Sequence, residues 1–461
     1  MNTLVSTPVI HIVKGRVVTG DDVSYGAGEG SFSTPAIDLN TIAWSRQEPG
    51  PAFDVPIAEI IDLLIALGDG IRQDKAGALA EACDLMMRTG TLDPGIIRRS
   101  YEDLPFLFSR DHITGILEGE LGDPAVVDGW KEMRMYGGTP ARVRAFPPRM
   151  VHILAGNAPG VAAVTIVRGA LSKGVHLCKL PSNDLHTLTA LLRILIDIAP
   201  DHPVTKSFSA VYWRGGDTAI ESRLFSPIFF DKLAAWGGES SLRSAKNYIG
   251  PGFELVAFDP KTSISMIGRE AFADDADLDA IAELAAQDAT PWNQSACVSS
   301  RFMYIEADEA QADRFSEALQ KHMGVERRIA SRFGPKVSAD LREEIDALRD
   351  LAPDYAVFGG YEGAGLVVRS DSPVDFYPDN KIVNVVTVRA LKDAVRYTGV
   401  ATQTVGVWPP ARKAELRDAL ASAGAQRIVT LGLAVNGDCA GLPHDGFIPL
   451  HRFMRWINDE G

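Results

Sequence analysis

The stretch VHILAGNAPGVAAVTIVRGALSKGVHLCKLP, residues 151–181, decides the fold of this chain. Both of its ends are short apolar runs, and the middle is a longer run with apolar residues at helical spacing. A strand, a helix and a second strand in this order are typical of a βαβ unit, which builds a parallel sheet. The stretch therefore predicts an α/β fold of the Rossmann type, although the fingerprint Gly-x-Gly-x-x-Gly does not follow the first strand.

The same alternation continues on both sides of residue 250. Before it, residues 185–238 indicate helices and strands in turn, and after it residues 254–430 repeat the pattern. Upstream, residues 55–122 contain three helical patterns separated by glycine and proline. We therefore predict an N-terminal helical region and a candidate dinucleotide-binding domain over 1–248, a second α/β domain over 249–430, and a C-terminal segment over 431–461.

Composition excludes several classes of protein. Of the 461 residues, 46% are apolar and 23% are charged, which is typical of a globular rather than a disordered chain. The net charge of −14 argues against nucleic acid or an anionic membrane as the main partner, because both attract cations. The sequence has neither an apolar run long enough to span a membrane nor an N-terminal signal pattern, so we expect a cytoplasmic protein.

The four cysteines are spread along the chain without a paired motif, which indicates neither disulfides nor a metal site. Cys83 and Cys178 fall in apolar patterns and are predicted to be buried. Cys297 lies instead in the polar segment TPWNQSACVSS, residues 290–300, between a helical pattern and a strand pattern. An isolated cysteine is more often a small buried hydrophobe, but a polar loop between rigid elements favours a nucleophile.

Polar and small residues follow the strands predicted over 151–238. Asn157 follows the first strand and Lys179 ends the second, while glycine pairs follow the next two at 215–216 and 237–238. Because the carboxyl ends of parallel strands share one edge of a sheet, where such folds bind ligands, we expect these residues to line a cleft. Two alternatives stay open, namely Asn157 as a helix N-cap and Lys179 as a lysine that extends to solvent from a strand end.

Five motifs occur along the chain in the order that a known family has them. They are Gly-Asn-x-Pro-Gly at 156–160, Lys-x-Pro-Ser at 179–182, Trp-x-Gly-Gly-Asp at 213–217, Asn-Gln-x-Ala-Cys-x-Ser at 293–299, and Pro-His-Asp-Gly with Arg-Trp at 443–446 and 455–456. Together they resemble the aldehyde dehydrogenase superfamily and, within it, the LuxC-type acyl-CoA reductases. The resemblance runs from about residue 100 to the C-terminus. It implies an aldehyde dehydrogenase-like fold with a Rossmann-type cofactor domain and an α/β catalytic domain over 249–430. It also implies that the C-terminal segment over 431–461 returns to the cofactor or oligomerisation region.

The resemblance also implies a covalent mechanism. Cys297 would be the nucleophile, and Asn157 with the Cys297 backbone N–H would form the oxyanion hole. Attack of a thiolate on a thioester or aldehyde carbonyl gives a tetrahedral oxyanion, which a fixed amide donor stabilises by roughly 3 to 4 kcal/mol. Phe376 is similar to the aromatic residue of a Glu-x-Phe segment that holds the nicotinamide ribose in related enzymes.

A nicotinamide cofactor at the strand ends follows from the same resemblance. Lys179 corresponds to a lysine that contacts the adenosine ribose or its phosphate. The loops at the other strand ends complete the predicted cofactor site with Gly215, Gly216, Gly238 and Glu239. A glutamate often follows this lysine by three residues in the superfamily, whereas this chain has Ser182 there. Because the missing carboxylate would repel a 2′-phosphate, NADPH is predicted, with NADH as the alternative.

One departure concerns the residue that activates water in hydrolytic aldehyde dehydrogenases. Those enzymes carry a glutamate in a Glu-Leu-Gly-Gly stretch, whereas this chain reads GPGFELVA at 250–257. Glu254 is the ionisable residue of that stretch. It is either a general base whose pKa is raised by burial or an exposed strand residue, and both interpretations stay open.

These observations predict an NADPH-dependent acyl-CoA reductase that forms an aldehyde through a cysteine thioester, reversibly, with acyl-CoA or another acyl thioester as substrate and CoA as product. A hydrolytic aldehyde dehydrogenase that gives a carboxylate is the first alternative. A non-catalytic subunit of an acyl-transfer complex is the second. By family analogy we expect a homo-oligomer, either a dimer or a tetramer, and an acyl-activating enzyme as a partner.

Overall fold

The structure is a computed structural model. It describes residues 7–27, 30–435 and 439–461, except for the side chains of 239–241 and 275. Among these residues no helix is long and apolar enough to cross a lipid bilayer.

The chain divides into two compact units. The first comprises Met1–Thr91, Ser100–Asp259 and Asp438–Gly461, and the second comprises Leu92–Arg99 and Pro260–Gly437. The predicted boundary after residue 248 precedes the observed one, because one more strand of the first unit follows it. The predicted boundary after residue 430 also precedes the observed return of the chain to the first unit.

The strands are, in chain order, β1 (Thr7–Pro8), β2 (His11–Val13), β3 (Arg16–Val18), β4 (Val23–Tyr25), β5 (Phe32–Thr34), β6 (Lys131–Arg134), β7 (Pro140–Phe146), β8 (Arg149–Ile153), β9 (Val175–Lys179), β10 (Phe208–Val211), β11 (Lys232–Trp236), β12 (Glu254–Phe258), β13 (Thr262–Ile267), β14 (Ser300–Ile305), β15 (Ala356–Gly359), β16 (Leu366–Ser370), β17 (Ile382–Thr387), β18 (Thr402–Trp408), β19 (Arg427–Thr430) and β20 (Arg455–Glu460).

The α-helices are α1 (Leu39–Ile42), α2 (Ile57–Gln73), α3 (Ala78–Thr89), α4 (Pro94–Asp103), α5 (Arg110–Leu121), α6 (Ala125–Asp128), α7 (Pro159–Leu171), α8 (Thr187–Ile198), α9 (Pro203–Lys206), α10 (Thr218–Leu224), α11 (Glu239–Lys246), α12 (Asp275–Ala289), α13 (Glu309–Met323), α14 (Ala339–Arg349), α15 (Leu391–Ala394), α16 (Lys413–Ala423) and α17 (Pro449–Phe453). Short 3₁₀ turns cover Leu104–Phe108, Arg269–Phe272, Pro291–Gln294, Val395–Tyr397 and Pro410–Arg412.

The main sheet of the first unit has the strand order β12-β11-β8-β9-β10-β2-β3. The five strands from β12 to β10 are parallel, and β2 and β3 extend the sheet as antiparallel strands. The register pairs Lys179 with Ile153 on one side and with Val211 on the other, so the carboxyl ends lie in one row. The βαβ arrangement predicted from residues 151–181 is confirmed.

Burial explains why these strands are so apolar. Helices α7 and α8 connect β8, β9 and β10, and the core of this unit contains Val151, Leu177, Val211 and Leu233. A strand that is covered on both faces needs apolar residues at consecutive positions, as the parallel strands here have. The predicted N-terminal helical region is also present, as α2, α3 and α5.

The second unit contains another sheet, with the order β15-β16-β17-β14-β13-β18-β19. All neighbouring pairs are parallel except β15 with β16. The core beside α12 contains a row of buried alanines, Ala282, Ala285, Ala286 and Ala289, together with Phe315 of α13. Small residues on one helix let its neighbour approach closely, which explains the alanine-rich sequence of α12.

Two smaller sheets belong to the first unit. One has the order β1-β5-β4 and the other β20-β7-β6. In the second of these, the C-terminal strand β20 pairs antiparallel with β7 from Arg455 opposite Phe146 to Glu460 opposite Ala141. The end of the chain is thus part of the unit that carries the Rossmann-type sheet.

Candidate active site

A cavity of about 280 Å³ lies at the carboxyl ends of β8 and β9 in the first unit. Its walls come from two strand ends, the loop after β10 and the helices α10 and α11. The lining includes Ile153, Lys179, Gly215, Gly216, Glu221 and Phe225. The sequence predicts a ligand cleft at this edge, and the structure brings three of the predicted cofactor residues, Lys179, Gly215 and Gly216, into one cavity.

Lys179 ends β9 with its ammonium group beside aromatic rings. Its Nζ lies 5.6 Å from the ring centroid of Tyr212 and 5.5 Å from that of Trp213. Burial lowers the pKa of Lys179, and the negative charge of Glu221 opposes that effect. Because the amine faces a cavity and two rings, the alternative of a lysine extended to solvent does not describe it.

The loop after β10 leaves open space next to the cavity. A Cβ built on Gly215 or Gly216 would meet no described atom within 4 Å. Gly216 has a φ of +83°, a left-handed conformation that favours glycine. Asp217 then begins α10, because its carboxylate accepts hydrogen bonds from the N–H groups of Ala219 at 3.1 Å and Ile220 at 3.3 Å.

Glu221 is a cavity residue that the sequence reasoning missed. Its Oε1 accepts hydrogen bonds from Trp213 Nε1 at 3.2 Å and from the N–H of Gly216 at 3.0 Å. These bonds hold a buried carboxylate in the same cavity as Lys179. The sequence did contain a signal for this residue. Glu221 lies four residues after Asp217, the N-cap of α10, and a side chain at that spacing points back toward the loop before the helix.

The remaining predicted cofactor residues of the first unit lie outside the lining of this cavity. Ser182 is exposed in the turn after β9. Gly238 is the N-cap of α11, and a Cβ there would meet no described atom within 4 Å. The side chain of Glu239 is outside the described residues. Their roles toward a cofactor stay predictions.

Asn157 is exposed between β8 and α7. The N-cap of α7 is Ala158, so the alternative that assigned this function to Asn157 is wrong. A Cβ at the preceding Gly156 would lie 2.0 Å from Oδ1 of Asn183, so that exposed side chain would have to shift. The turn thus presents the Asn157 amide at the same edge of the sheet as Lys179.

Glu254 occupies the opposite edge of that sheet. It begins β12 and pairs in register with Lys232 at the start of β11, whereas Lys179 ends its strand. Through the register of β11, β8 and β9, Glu254 lies level with His176, so three residue steps, or ~10 Å along the strands, separate it from the level of Lys179. Its Oε2 lies 3.1 Å from Lys232 Nζ and its Oε1 lies 2.6 Å from an Arg452 nitrogen. The carboxylate is half-exposed and held by two cations at the amino ends of the strands, which fits the interpretation as a strand residue. The general-base assignment stays a prediction.

Cys297 lies in the turn between the 3₁₀ segment Pro291–Gln294 and β14 of the second unit. Its side chain is exposed, whereas Cys83 and Cys178 are buried. Burial raises the pKa of the Cys178 thiol, which keeps that group protonated. The interpretation of Cys297 as a buried hydrophobe is therefore wrong, because the residue is exposed to solvent.

The backbone before Cys297 is strained. Trp292, Asn293 and Gln294 have φ values of 47°, 52° and 72°, which are left-handed conformations of residues other than glycine. Each such residue costs about 1–3 kcal/mol and persists where its surroundings hold it, often at active sites. The sequence predicts a polar loop here but does not reveal this conformation.

Two side-chain amides hold the strained segment in place. Asn293 donates to Oγ of Ser331 at 2.7 Å and accepts from the N–H of Ser331 at 3.1 Å. Gln294 donates to the carbonyl of Ile382 at 2.7 Å and accepts from the N–H of Ile382 at 3.1 Å. Both amides are buried and make paired hydrogen bonds with distant segments.

Two cations complete this arrangement. Arg301 donates to the carbonyl of Gln294 at 2.6 Å and to Oδ1 of Asp379 at 3.0 Å. Lys381 is 0% exposed, and its Nζ donates to the carbonyls of Ser331 at 3.0 Å and Arg332 at 3.2 Å. Burial lowers the pKa of Lys381 to about 8. The strained segment and the two segments that bind it thus form one polar network in the second unit.

Phe376 belongs to the same unit as Cys297. It is half-buried against an apolar cluster that includes Val337, Ile345 and Ile382. This packing fixes the position of the ring, and its predicted contact with a nicotinamide ribose stays a prediction.

Aldehyde dehydrogenases are among the solved structures that share this fold. The chain matches an NAD-dependent benzaldehyde dehydrogenase from Corynebacterium glutamicum with a TM-score of 0.71 at 14% identity, covering 100% of both chains. An NADP-dependent glyceraldehyde-3-phosphate dehydrogenase from Bacillus halodurans, solved with NADP, gives 0.69 at 14% identity, covering 99% of both. At this identity the likeness establishes the fold alone, and the predicted aldehyde dehydrogenase-like fold is confirmed.

Relatives in sequence carry the name long-chain acyl-protein thioester reductase. The protein of that name from Aliivibrio fischeri is 31% identical over 369 residues, which are 77% of this chain and 72% of the relative. The one from Vibrio harveyi is 28% identical over 359 residues, with the same two coverages. A profile of the family described as acyl-CoA reductase (LuxC) matches residues 52–456. This chain therefore belongs to the LuxC family of acyl-CoA reductases, as its motifs predict, and is an oxidoreductase.

Proposed function

We propose that this protein reduces an acyl-CoA thioester to an aldehyde through an acyl-enzyme on Cys297, with a nicotinamide cofactor as the reductant. The observation that carries the proposal is the exposed Cys297 at the end of a strained segment that paired hydrogen bonds hold in place. A surface cysteine without a role would not need such a scaffold. Membership of the acyl-CoA reductase family supports the same chemistry.

The proposed reaction has two steps. In the first, the Cys297 thiolate attacks the thioester carbonyl, a C–S bond to Cys297 forms, the C–S bond to CoA breaks, and CoA leaves as a thiolate that takes up a proton. In the second, hydride adds to the carbonyl carbon of the acyl-enzyme, the C–S bond to Cys297 breaks, and the aldehyde leaves. The bound cofactor supplies that hydride.

Both steps develop negative charge on the carbonyl oxygen. We assign the donors to the Cys297 backbone N–H and to the side-chain amide of Asn157, as the family resemblance implies. The exposed position of Asn157, in the turn after β8 at the edge where the parallel strands end, supports this assignment. One such donor contributes roughly 3 to 4 kcal/mol to stabilisation of the oxyanion.

The cavity of the first unit fits part of a dinucleotide. Lys179 offers a cation, Glu221 offers an acceptor for ribose hydroxyls, and the two glycines leave room for a ligand. We propose NADPH as the cofactor, because Ser182 stands where the superfamily pattern has a carboxylate. Glu221 brings a carboxylate to the cavity from another element, so NADH is the alternative, and measured affinities for both cofactors decide between them.

The position of Glu254 argues against the hydrolytic alternative. The carboxylate is paired with Lys232 and Arg452 at the amino ends of its sheet, whereas Lys179 ends its strand at the opposite edge. The acyl-enzyme is therefore proposed to react with hydride or, in the reverse direction, with CoA.

The remaining proposals concern substrates and partners. The relatives are named for acyl-protein thioesters, so an acyl group delivered by an acyl-activating enzyme is a second donor to test beside acyl-CoA. By the same analogy we propose a cytoplasmic homo-oligomer, either a dimer or a tetramer.

The test follows NADPH and NADH absorbance with short, long and aromatic acyl-CoAs. Cys297→Ala is expected to lose turnover by at least about a thousandfold, because the covalent step is removed. Cys439→Ala is the matched control, since Cys439 is also exposed and lies in the other unit, and it should stay within about twofold of the wild type. Turnover retained in Cys297→Ala would overturn the proposal. So would oxidation of an aldehyde to a carboxylic acid in the absence of CoA.

A further inference from the structure

We infer that Ser263 is a positioning residue that fixes the direction of Cys297 for acyl transfer, an inference that rests on the proposed function. Ser263 lies near the start of β13 and is 1% exposed. Its hydroxyl donates to the backbone carbonyl of Cys297 at 2.7 Å and accepts from the N–H of Thr404 at 3.1 Å. The hydroxyl thus links the backbone of Cys297 to β13 and β18 of the seven-stranded sheet in the second unit.

An irregularity of the sheet places this hydroxyl. β13 lies between β14 and β18, and its register changes against both neighbours at this point. Against β14, Ser263 pairs with Ser300 but Ile264 pairs with Phe302, so β14 has one extra residue there. Irregularities of this kind interrupt the ladder, redirect a side chain and are frequent beside active sites.

The same irregularity affects the other neighbour. Thr262 pairs with Thr402 but Ile264 pairs with Val405, so β18 also has one extra residue at this level. The Ser263 hydroxyl accepts the Thr404 N–H from this interrupted part of β18. The one buried hydroxyl of Ser263 therefore joins β13, the interrupted part of β18 and the backbone of Cys297.

The position of Cys297 depends on contacts on both of its sides. On the amino side, the amides of Asn293 and Gln294 hold the left-handed segment. On the carboxyl side, the bond from Ser263 holds the peptide carbonyl of Cys297 itself. A fixed peptide plane sets the direction of the Cα–Cβ bond, and displacement of a reacting group by about 1 Å reduces rates by about a hundredfold.

Ser265 provides a matched control on the same strand. It is buried like Ser263, and its hydroxyl is hydrogen bonded to that of Ser300 at 2.8 Å. Ser265→Ala and Ser263→Ala therefore remove the same atom from the same strand, but only the second change removes a bond to Cys297. Equal losses of stability with unequal losses of acylation separate positioning from general packing.

The experiment compares both alanine variants with the wild type in the full-length protein. The rate of Cys297 acylation by a long-chain acyl-CoA and the rate of its alkylation by iodoacetamide are followed by mass spectrometry, beside the melting temperature and the affinity for NADPH. Ser263→Ala should slow acylation by about ten- to a hundredfold with unchanged affinity for NADPH. Ser265→Ala should stay within about twofold of the wild type.

A second pair of variants keeps the test decisive if Ser263→Ala does not fold. Ser263→Thr and Ser263→Val have the same shape and differ in the hydroxyl, so Thr should acylate at least about tenfold faster than Val. Equal rates for this pair, or equal slowing in Ser263→Ala and Ser265→Ala, would overturn the inference. Alkylation by iodoacetamide reports on the Cys297 thiol and needs neither acyl-CoA nor cofactor. A failure of the inference is therefore distinguishable from a failure of the proposed reaction, in which the wild type would be alkylated but not acylated.

Discussion

The segment that carries Cys297 and the cavity that contains Lys179 are built in opposite ways. Around Cys297, buried amides bind distant backbone groups in pairs, as Gln294 does with Ile382. In the cavity, the loop at Gly215 and Gly216 leaves open space, because a Cβ at either glycine would meet no described atom within 4 Å. A covalent nucleophile needs one fixed direction, whereas a ligand site needs room and a few charges, and each unit supplies one of these conditions.

The largest expected effect comes from release of the strained segment. Gln294→Met keeps the approximate shape of the side chain but removes both hydrogen bonds to Ile382. Two buried backbone groups lose their partner, so we expect a loss of about 3 kcal/mol in unfolding free energy, together with slower acylation of Cys297. Denaturant unfolding and acylation rates measure the two effects.

A control in the same unit is Gln320→Met. Gln320 is half-buried and makes a single bond, at 3.3 Å, to the carbonyl of Gly365. We expect a loss of about 1 kcal/mol and unchanged acylation. If both variants acylate at the wild-type rate, the contrast between a held segment and an open cavity has no functional meaning.

The second effect concerns the far end of β14, the strand that follows Cys297. Burial alone would raise the pKa of Glu306, but hydrogen bonds from Arg412 and from the N–H groups of Leu391 and Arg269 outweigh it and lower the pKa to about 2. The folded state thus holds the proton less tightly than the unfolded chain, whose value is 4.5. The stabilisation is complete above that value and is lost as the pH falls toward about 2.

Glu306→Gln tests this pH dependence. Loss of the charge opposite Arg412 should lower the unfolding free energy at pH 7 by about 2 kcal/mol and flatten its decline between pH 4.5 and 2. Urea denaturation at several pH values measures both quantities. An unchanged slope in the variant would contradict the assigned role of the ion pair.

Local pattern predicted the positions of the elements, whereas long-range contacts decided the details of both sites. Residues 151–181 form the expected βαβ unit, and Cys297 lies in the expected turn before a strand. The inward position of Gln294 depends on Ile382, 88 residues away, and the position of Glu254 at the amino edge depends on its pairing with β11. Periodicity along the chain contains neither contact.

The smallest expected effect concerns the charges of the cavity. Glu221→Gln keeps an acceptor for Trp213 Nε1 and the Gly216 N–H but removes the negative charge. It should raise the affinity for NADPH relative to NADH by about tenfold, and Lys179→Met should lower that ratio by about tenfold. Isothermal titration with both cofactors gives the ratio.

Glu254→Gln is the control for this prediction. It removes a carboxylate from the same sheet, but from the amino edge rather than the cavity. We expect an unchanged ratio of the two affinities. A shift as large as that of Glu221→Gln would contradict the assignment of the cavity to the cofactor.

The most direct test of the central claim is to locate the acyl group. The protein is mixed with an acyl-CoA in the absence of nicotinamide cofactor, and peptide mass spectrometry follows the acyl mass while released CoA is counted. The account predicts one acyl group on the peptide that contains Cys297, equimolar release of CoA, and neither in Cys297→Ala. An acyl group on Cys439 or another residue, or the absence of an acyl group from the Cys297 peptide, would contradict it.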